Sequence, residues 1–219
     1  FFVNCSMNAE SPAAMITVKG GLWHRRWGKI YFWAMTAATV SAVLLSTFGI
    51  RQNLFLTFIG IFSFYLSYSG YRVLYQKRPA QGQGPKLFDW ILALATSITG
   101  LGLMTAGILK PTSMWAAISV VAIVLGAGCF LNRAHDIYHI VRPPSDKNFW
   151  WYHHMAGMLA SYIAAMTAFL VNNARHMGFG GPVWVWWLLP TIVGVPAIVS
   201  WTRYYRGRFN KNRALAIAG

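Results

Sequence analysis

Long apolar runs separated by short polar breaks occupy most of the chain, and the runs exceed what a core helix of a soluble domain requires. Crossing a bilayer takes roughly 20 mostly apolar residues. Six stretches meet or approach that length: 30–50, 53–75, 87–109, 113–131, 150–171 and 181–202. The only charged residues within them are Arg72 and Asp89, each near an end where the side chain reaches the polar interface. The first two spans, and the third and fourth, are joined so closely that each pair must form a tight antiparallel hairpin. Pro79, Gly82, Gly84 and Pro85 make 76–86 a flexible loop. The pattern predicts an all-α integral membrane protein, a bundle of six transmembrane helices forming a single membrane domain over 1–219.

The basic residues fall so unevenly about these spans that they set the threading. Sixteen of the 19 lie on one side, in the clusters Lys19 to Lys29, Arg72 to Lys86, Arg133 to Lys147 and Arg203 to Arg213; only Arg51, Lys110 and Arg175 lie on the other. Lys and Arg are retained on the cytoplasmic side, so both ends of the chain are expected in the cytoplasm. This threading changes the meaning of the composition. A formal charge of +15 with four acids would mark a soluble protein as a nucleic-acid binder. Here 56% of the residues are hydrophobic, 11% are charged, and the charge sits between the apolar runs. The expected partner is the lipid bilayer, with attraction to anionic headgroups and no nucleic acid. Two cysteines, Cys5 and Cys129, are too few for a disulfide framework, and Cys129 reads as a small apolar residue.

Trp23, Trp27, Trp150 and Trp151 on the inner side, and Trp184, Trp186 and Trp187 on the outer, stand where aromatic belts anchor a bundle in the headgroup layer. Small residues recur at every fourth position in the first span (Ala34, Ala38, Ala42, Ser46) and in the fifth (Ala156, Ala160, Ala164, Ala168), which predicts closely packed helix faces. Pro190 and Pro196 are expected to bend the sixth span.

With this threading His24, His135, His139, His153 and His154 gather at the cytoplasmic interface with Asp89, Asp136 and Asp146, and only His176 lies outside. Two chemistries follow. His135 and His139 stand four apart on one helical face, and with His154 and Asp136 they are candidate ligands for a transition metal. His24 is followed by Gly28 at the next turn and His153 by Gly157. An axial histidine needs small neighbours if a flat macrocycle is to lie on the helix, so these four residues are a candidate cofactor site for haem b. Against both stands an ordinary structural account, in which interfacial histidines bond headgroups or carbonyls and the glycines serve helix packing. Asp89 is expected to pair with Arg72 or Arg78, and Asp136 to orient the His135 ring. No phosphate loop, nucleophile elbow, zinc-protease helix or cysteine ligand set occurs.

The segment from Ala14 to Gly21, then His24-Arg25-Arg26-Trp27-Gly28-Lys29, and in the fifth span Ser161-Tyr162-Ile163-Ala164-Ala165-Met166-Thr167-Ala168-Phe169-Leu170-Val171-Asn172-Asn173 resemble a bacterial family of predicted multi-pass membrane proteins known only as a domain of unknown function. The resemblance implies an all-helical protein of the bacterial inner membrane and carries over no catalytic residues. Members of that family begin with a further apolar helix ahead of the Lys-Gly-Gly segment. Residues 1–12 are too short and polar for it, so the resemblance implies a span that has been lost or that precedes this sequence. Three function classes stay open, with the redox reading placed first. They are a haem-binding or redox-linked membrane subunit, a metal- or proton-handling membrane protein, and a non-catalytic accessory subunit working with other membrane subunits.

Overall fold

The structure, a computed structural model, describes residues 17–48, 54–77, 82–110, 112–142, 146–173, 176, 178 and 181–218. Among them the backbone is helical apart from short links, with no strand. The long helices are α1 (Leu22–Phe48), α2 (Leu54–Arg72), α3 (Leu87–Leu109), α4 (Ser119–Val141), α5 (Phe149–Asn173) and α6 (Val183–Ala218). A 3-10 turn, Val73–Tyr75, prolongs α2, and a short helix, Ser113–Ala117, leads into α4. Five of the long helices, α1 and α3 to α6, are long and apolar enough to cross a membrane. The remaining one, α2, has 19 residues and packs against α1, α3 and α5.

Helix α3 shows why a lipid surround suits this bundle. It exposes Ile91, Leu94, Ile98, Leu101 and Ile108 and buries Ala93, Thr96, Thr99, Gly100, Leu103 and Gly107. Large apolar residues outward and small or hydroxylated ones inward is the reverse of a water-soluble bundle. The inward hydroxyls are satisfied within the helix: Thr96 donates to the Leu92 carbonyl at 2.7 Å and Thr99 to that of Ala95 at 2.8 Å. Small residues then let backbones meet. A Cβ on Gly126 of α4 would stand 2.7 Å from the Gly100 carbonyl oxygen of α3. Likewise, a Cβ on Gly157 of α5 would stand 2.7 Å from the Gly70 Cα of α2. Cys129 completes the α3–α4 seam as a fully buried small residue, its thiol donating to the Thr96 carbonyl at 3.2 Å.

One end of the bundle closes around Phe55, Leu103, Trp115, Val121, Ala122 and Leu188. Trp187 packs there, its ring 5.1 Å from that of Phe55, so this residue of the expected outer belt faces inward. Trp151 of the inner belt does the same, lying 5.0 Å from Tyr205 and 5.4 Å from Phe209. Trp23 and Trp184 remain exposed. Helix α1 meets α5 through Tyr31 and Met35 against Ala165, and the Tyr31 and Ser161 hydroxyls bond at 2.9 Å. The buried line of α5 is therefore Ser161 and Ala165, while Ala156, Ala160, Ala164 and Ala168 beside it are half-buried.

Three helix boundaries differ from those expected. Helix α1 begins at Leu22 rather than at residue 30, which places His24, Arg25, Arg26, Gly28 and Lys29 on the helix. The span expected over 113–131 breaks at Ile118 and then continues to Val141, so Arg133 and Asp136 ride on α4 together with His135 and His139, the pair expected on one helical face. Helix α6 runs uninterrupted through Pro190 and Pro196 for 36 residues and carries Arg203, Arg206, Arg208 and Lys211. In each case charge ends only the apolar stretch and not the helix. Cys5, Arg51, Arg78, Pro79, Arg175 and residues 14–16 of the opening motif lie outside the described residues.

Candidate functional site

At the other end of the bundle, where α2 and α4 finish and α3 and α5 begin, the packing is polar. Tyr65, Tyr68 and Arg72 recur at helical spacing on one face of α2, and each Asp of the neighbouring helices takes a tyrosine from that face. Asp89 of α3 accepts from the Tyr68 hydroxyl at 2.5 Å. It also accepts from Arg72 Nε at 3.0 and 3.2 Å, from the Gln76 amide at 3.2 Å and from the Lys86 backbone N–H at 2.7 Å. The last contact fixes the first turn of α3, where an acid is also favoured by the helix dipole. The expected pairing of Asp89 with Arg72 is met, and both carboxylate oxygens of Asp89 are filled.

Asp136 of α4 is held differently. Its Oδ2 accepts from Arg133 and, at 2.5 Å, from the Tyr65 hydroxyl. Its Oδ1 faces two imidazoles, His153 Nε2 at 3.5 Å and His135 Nδ1 at 3.7 Å. From His135 the line of groups continues, Nε2 to Nε2, to His139 at 3.1 Å. Arg133, assigned by sequence to a loop, is 2% exposed. Its guanidinium lies 3.7 Å over the Tyr65 ring, so the charge is offset by Asp136 on one side and a π face on the other.

These groups line a cavity of about 310 Å³ shared with Tyr152 and His153 of α5 and Arg206 of α6. Around it three buried polar atoms, Arg133 Nε, His139 Nδ1 and Tyr152 Oη, have no hydrogen-bond partner among the described residues. Nearly all buried polar atoms in proteins are paired, so a cluster of exceptions marks a place for water or ligand. A second depression, of about 640 Å³, lies among Phe130, Ala134, Ile137 and Val141. Arg133, Tyr138 and Arg142 also line it, so Arg133 borders both cavities, but no histidine or carboxylate does.

The sequence-predicted residues divide between three places. His24 meets His154, with ring centroids 6.4 Å apart, and His154 Nδ1 bonds the Gly70 carbonyl at 2.7 Å. Successive helix residues point about 100° apart, so His153 turns away from this pair and toward Asp136. Gly157 is filled by the backbone of Gly70 and leaves no slot for a macrocycle, whereas Gly28 has open space around it. The four residues of the expected haem site are thus spread over separate environments. Of the expected metal ligands, His154 stands with Gly70, while His135 turns opposite ring nitrogens to His139 and to Asp136. Among the described residues no group of three or more His, Cys, Asp or Glu could hold a metal ion. His176 is exposed in a turn. Sequence reasoning missed Arg133, Tyr65, Tyr68 and Tyr152. The available signals were the Arg133–Asp136 spacing of three, which places an ion pair on one helix face, and the tyrosine spacing on α2.

Fold and site together define an α-helical bundle of membrane type with a polar, histidine-lined cavity at one end. In comparisons with known proteins, no family model, no curated protein and no solved structure matches this chain.

Proposed function

We propose that the chain is a proton-handling protein of the bacterial inner membrane, with α2 as a sixth crossing and both ends in the cytoplasm. The family resemblance of its opening and fifth-span motifs is part of that reading. The lopsided distribution of basic residues supports the threading, since the polar cavity then faces the cytoplasm. The observation that carries the function is the division of labour at Asp136. Oδ2 is fixed by Arg133 and Tyr65, while Oδ1 stands between His135 and His153 at 3.7 and 3.5 Å. Those separations exceed a direct hydrogen bond and suit a bridging water. An imidazole accepts a proton on one nitrogen and releases it from the other. The series His139, His135, Asp136 Oδ1, His153 therefore joins a ring that is 64% exposed, His135, to one that is 25% exposed, His153. Ionisable groups set inside a membrane bundle serve ion or proton traffic by default. Because the opposite end is closed by apolar side chains, the relay delivers protons to the cavity and not through the bundle.

Exchange of the His153 ring proton with water, read by ¹⁵N NMR on histidine-labelled protein, tests this. Asp136→Asn removes the middle of the relay and is expected to slow exchange about a hundredfold. His135→Gln, at an exposed position, is expected to act in the same direction without touching the buried ion pair, and His154→Gln to leave the rate unchanged. Exchange insensitive to both Asp136→Asn and His135→Gln overturns the reading. So does a b-type haem spectrum in the purified protein, which would return the site to the redox class.

A further inference from the structure

The acids around the cavity are already engaged. Asp89 accepts from Arg72, Tyr68, Gln76 and Lys86, Asp136 from Arg133 and Tyr65, and Asp146 from the Asn148 backbone N–H at 2.9 Å. What is left unpaired is on the donor side. Arg133 Nε can only donate, the Tyr152 hydroxyl can donate, and His139 Nδ1 donates in one of its two tautomers. Arg133 is the decisive member, since a guanidinium 2% exposed with an unpaired N–H, on a residue that lines the cavity, calls for an acceptor. Arg206 adds a further cation, its guanidinium 5.2 Å from the Tyr152 ring, and no carboxylate among the described residues forms an ion pair with it. The cavity, about 310 Å³, is at the lower limit of ligand sites and favours a small group.

We propose that the cavity binds a small oxyanion, a phosphate group, seated on Arg133 Nε, Tyr152 Oη and His139 Nδ1 with Arg206 beside it. Phosphate offers several acceptor oxygens and few donors, the complement of what is unpaired, and charge-assisted bonds to guanidinium are the strong class. Asp89 is offset by Arg72 and Asp136 by Arg133, so Arg133 contributes its unpaired N–H and the net positive charge at the seat comes from Arg206. The basic clusters at this end attract anions toward the mouth. The inference rests on the proton-handling reading and names what receives the proton: the relay supplies charge compensation as the anion enters.

Calorimetric titration of the protein, in nanodiscs of phosphatidylcholine, with inorganic phosphate is one arm of the test. The other follows thermal unfolding in nanodiscs containing phosphatidic acid. Saturable phosphate binding, weakened about tenfold by Tyr152→Phe and by His139→Asn at unchanged thermal stability, identifies free phosphate. Stabilisation by phosphatidic acid alone, lost in the same variants, identifies a lipid headgroup and supports the same chemistry. No saturable effect in either arm, or effects indifferent to both variants, overturns the oxyanion site. The two proposals fail separately. His153 exchange measured in phosphate-free buffer keeps its dependence on Asp136 if only the oxyanion site is wrong, and phosphate binding persists without that dependence if only the relay is wrong.

Discussion

At one end of the bundle Phe55, Leu103, Trp115, Val121 and Leu188 interlock as apolar side chains, whereas at the other Arg72 and Asp89 tie α2 to α3 through charge, and the Arg133–Asp136 pair within α4 is joined to α2 by the Tyr65 hydroxyl. The first end is closed by contacts that any well-shaped apolar side chain could supply. The second requires each charge to find its particular partner, and it leaves three polar atoms without one. The difference shows where function is placed, since one end can lose atoms and remain chemically silent while the other cannot lose one partner without exposing its opposite.

The largest effect is expected at the charged end. Asp136→Leu strands Arg133 in the bundle interior and should cost about 3 to 5 kcal/mol, read as unfolding in detergent. The double replacement Arg133→Met with Asp136→Leu should restore most of that stability while His153 proton exchange stays slow, separating structural from chemical need. If the double variant is no more stable than Asp136→Leu, the ion pair is not what holds this end. Next comes the apolar end: Leu103→Ala, at a fully buried position, should cost about 3 kcal/mol with no change in His153 exchange. A change in exchange would join the two ends that the comparison separates. Gly126→Ala tests the seam between them. Its methyl would stand 2.7 Å from the Gly100 carbonyl, and overpacking should cost about 2 kcal/mol in the same unfolding assay. The smallest effect belongs to Tyr68→Phe, expected at about 1 kcal/mol, because Asp89 keeps Arg72, Gln76 and Lys86 as donors.

Much of the fold was legible in the sequence and less of the site. Helix α3 occupies 87–109 as expected, because Lys86 and Lys110 bracket an apolar run whose one charged residue, Asp89, caps its start. Helices α1, α4 and α6 outrun their apolar segments, since a backbone that has satisfied its hydrogen bonds continues into the interface wherever charged side chains can reach water or each other. That rule hid Arg133, whose charge signalled a loop while its spacing to Asp136 signalled an ion pair. The pairing of Asp89 with Arg72 was readable because both lie at span ends on the same side. The meeting of His153 with Asp136 was not, because nothing local in either segment states how α5 is rotated. That rotation is set by Gly157 against Gly70, a contact between distant parts of the chain.

The apolar closure has an electrical consequence. In the threading proposed above, water and ions of the cytoplasm reach the cavity, so the membrane voltage falls mainly across the dry half formed by Phe55, Leu103, Trp115 and their neighbours. Moving a full elementary charge through the whole field costs about 2.3 kcal/mol per 100 mV. A proton travelling only from the cytoplasm to Asp136 crosses little of it. The site would therefore sense cytoplasmic acidity while staying nearly blind to membrane potential.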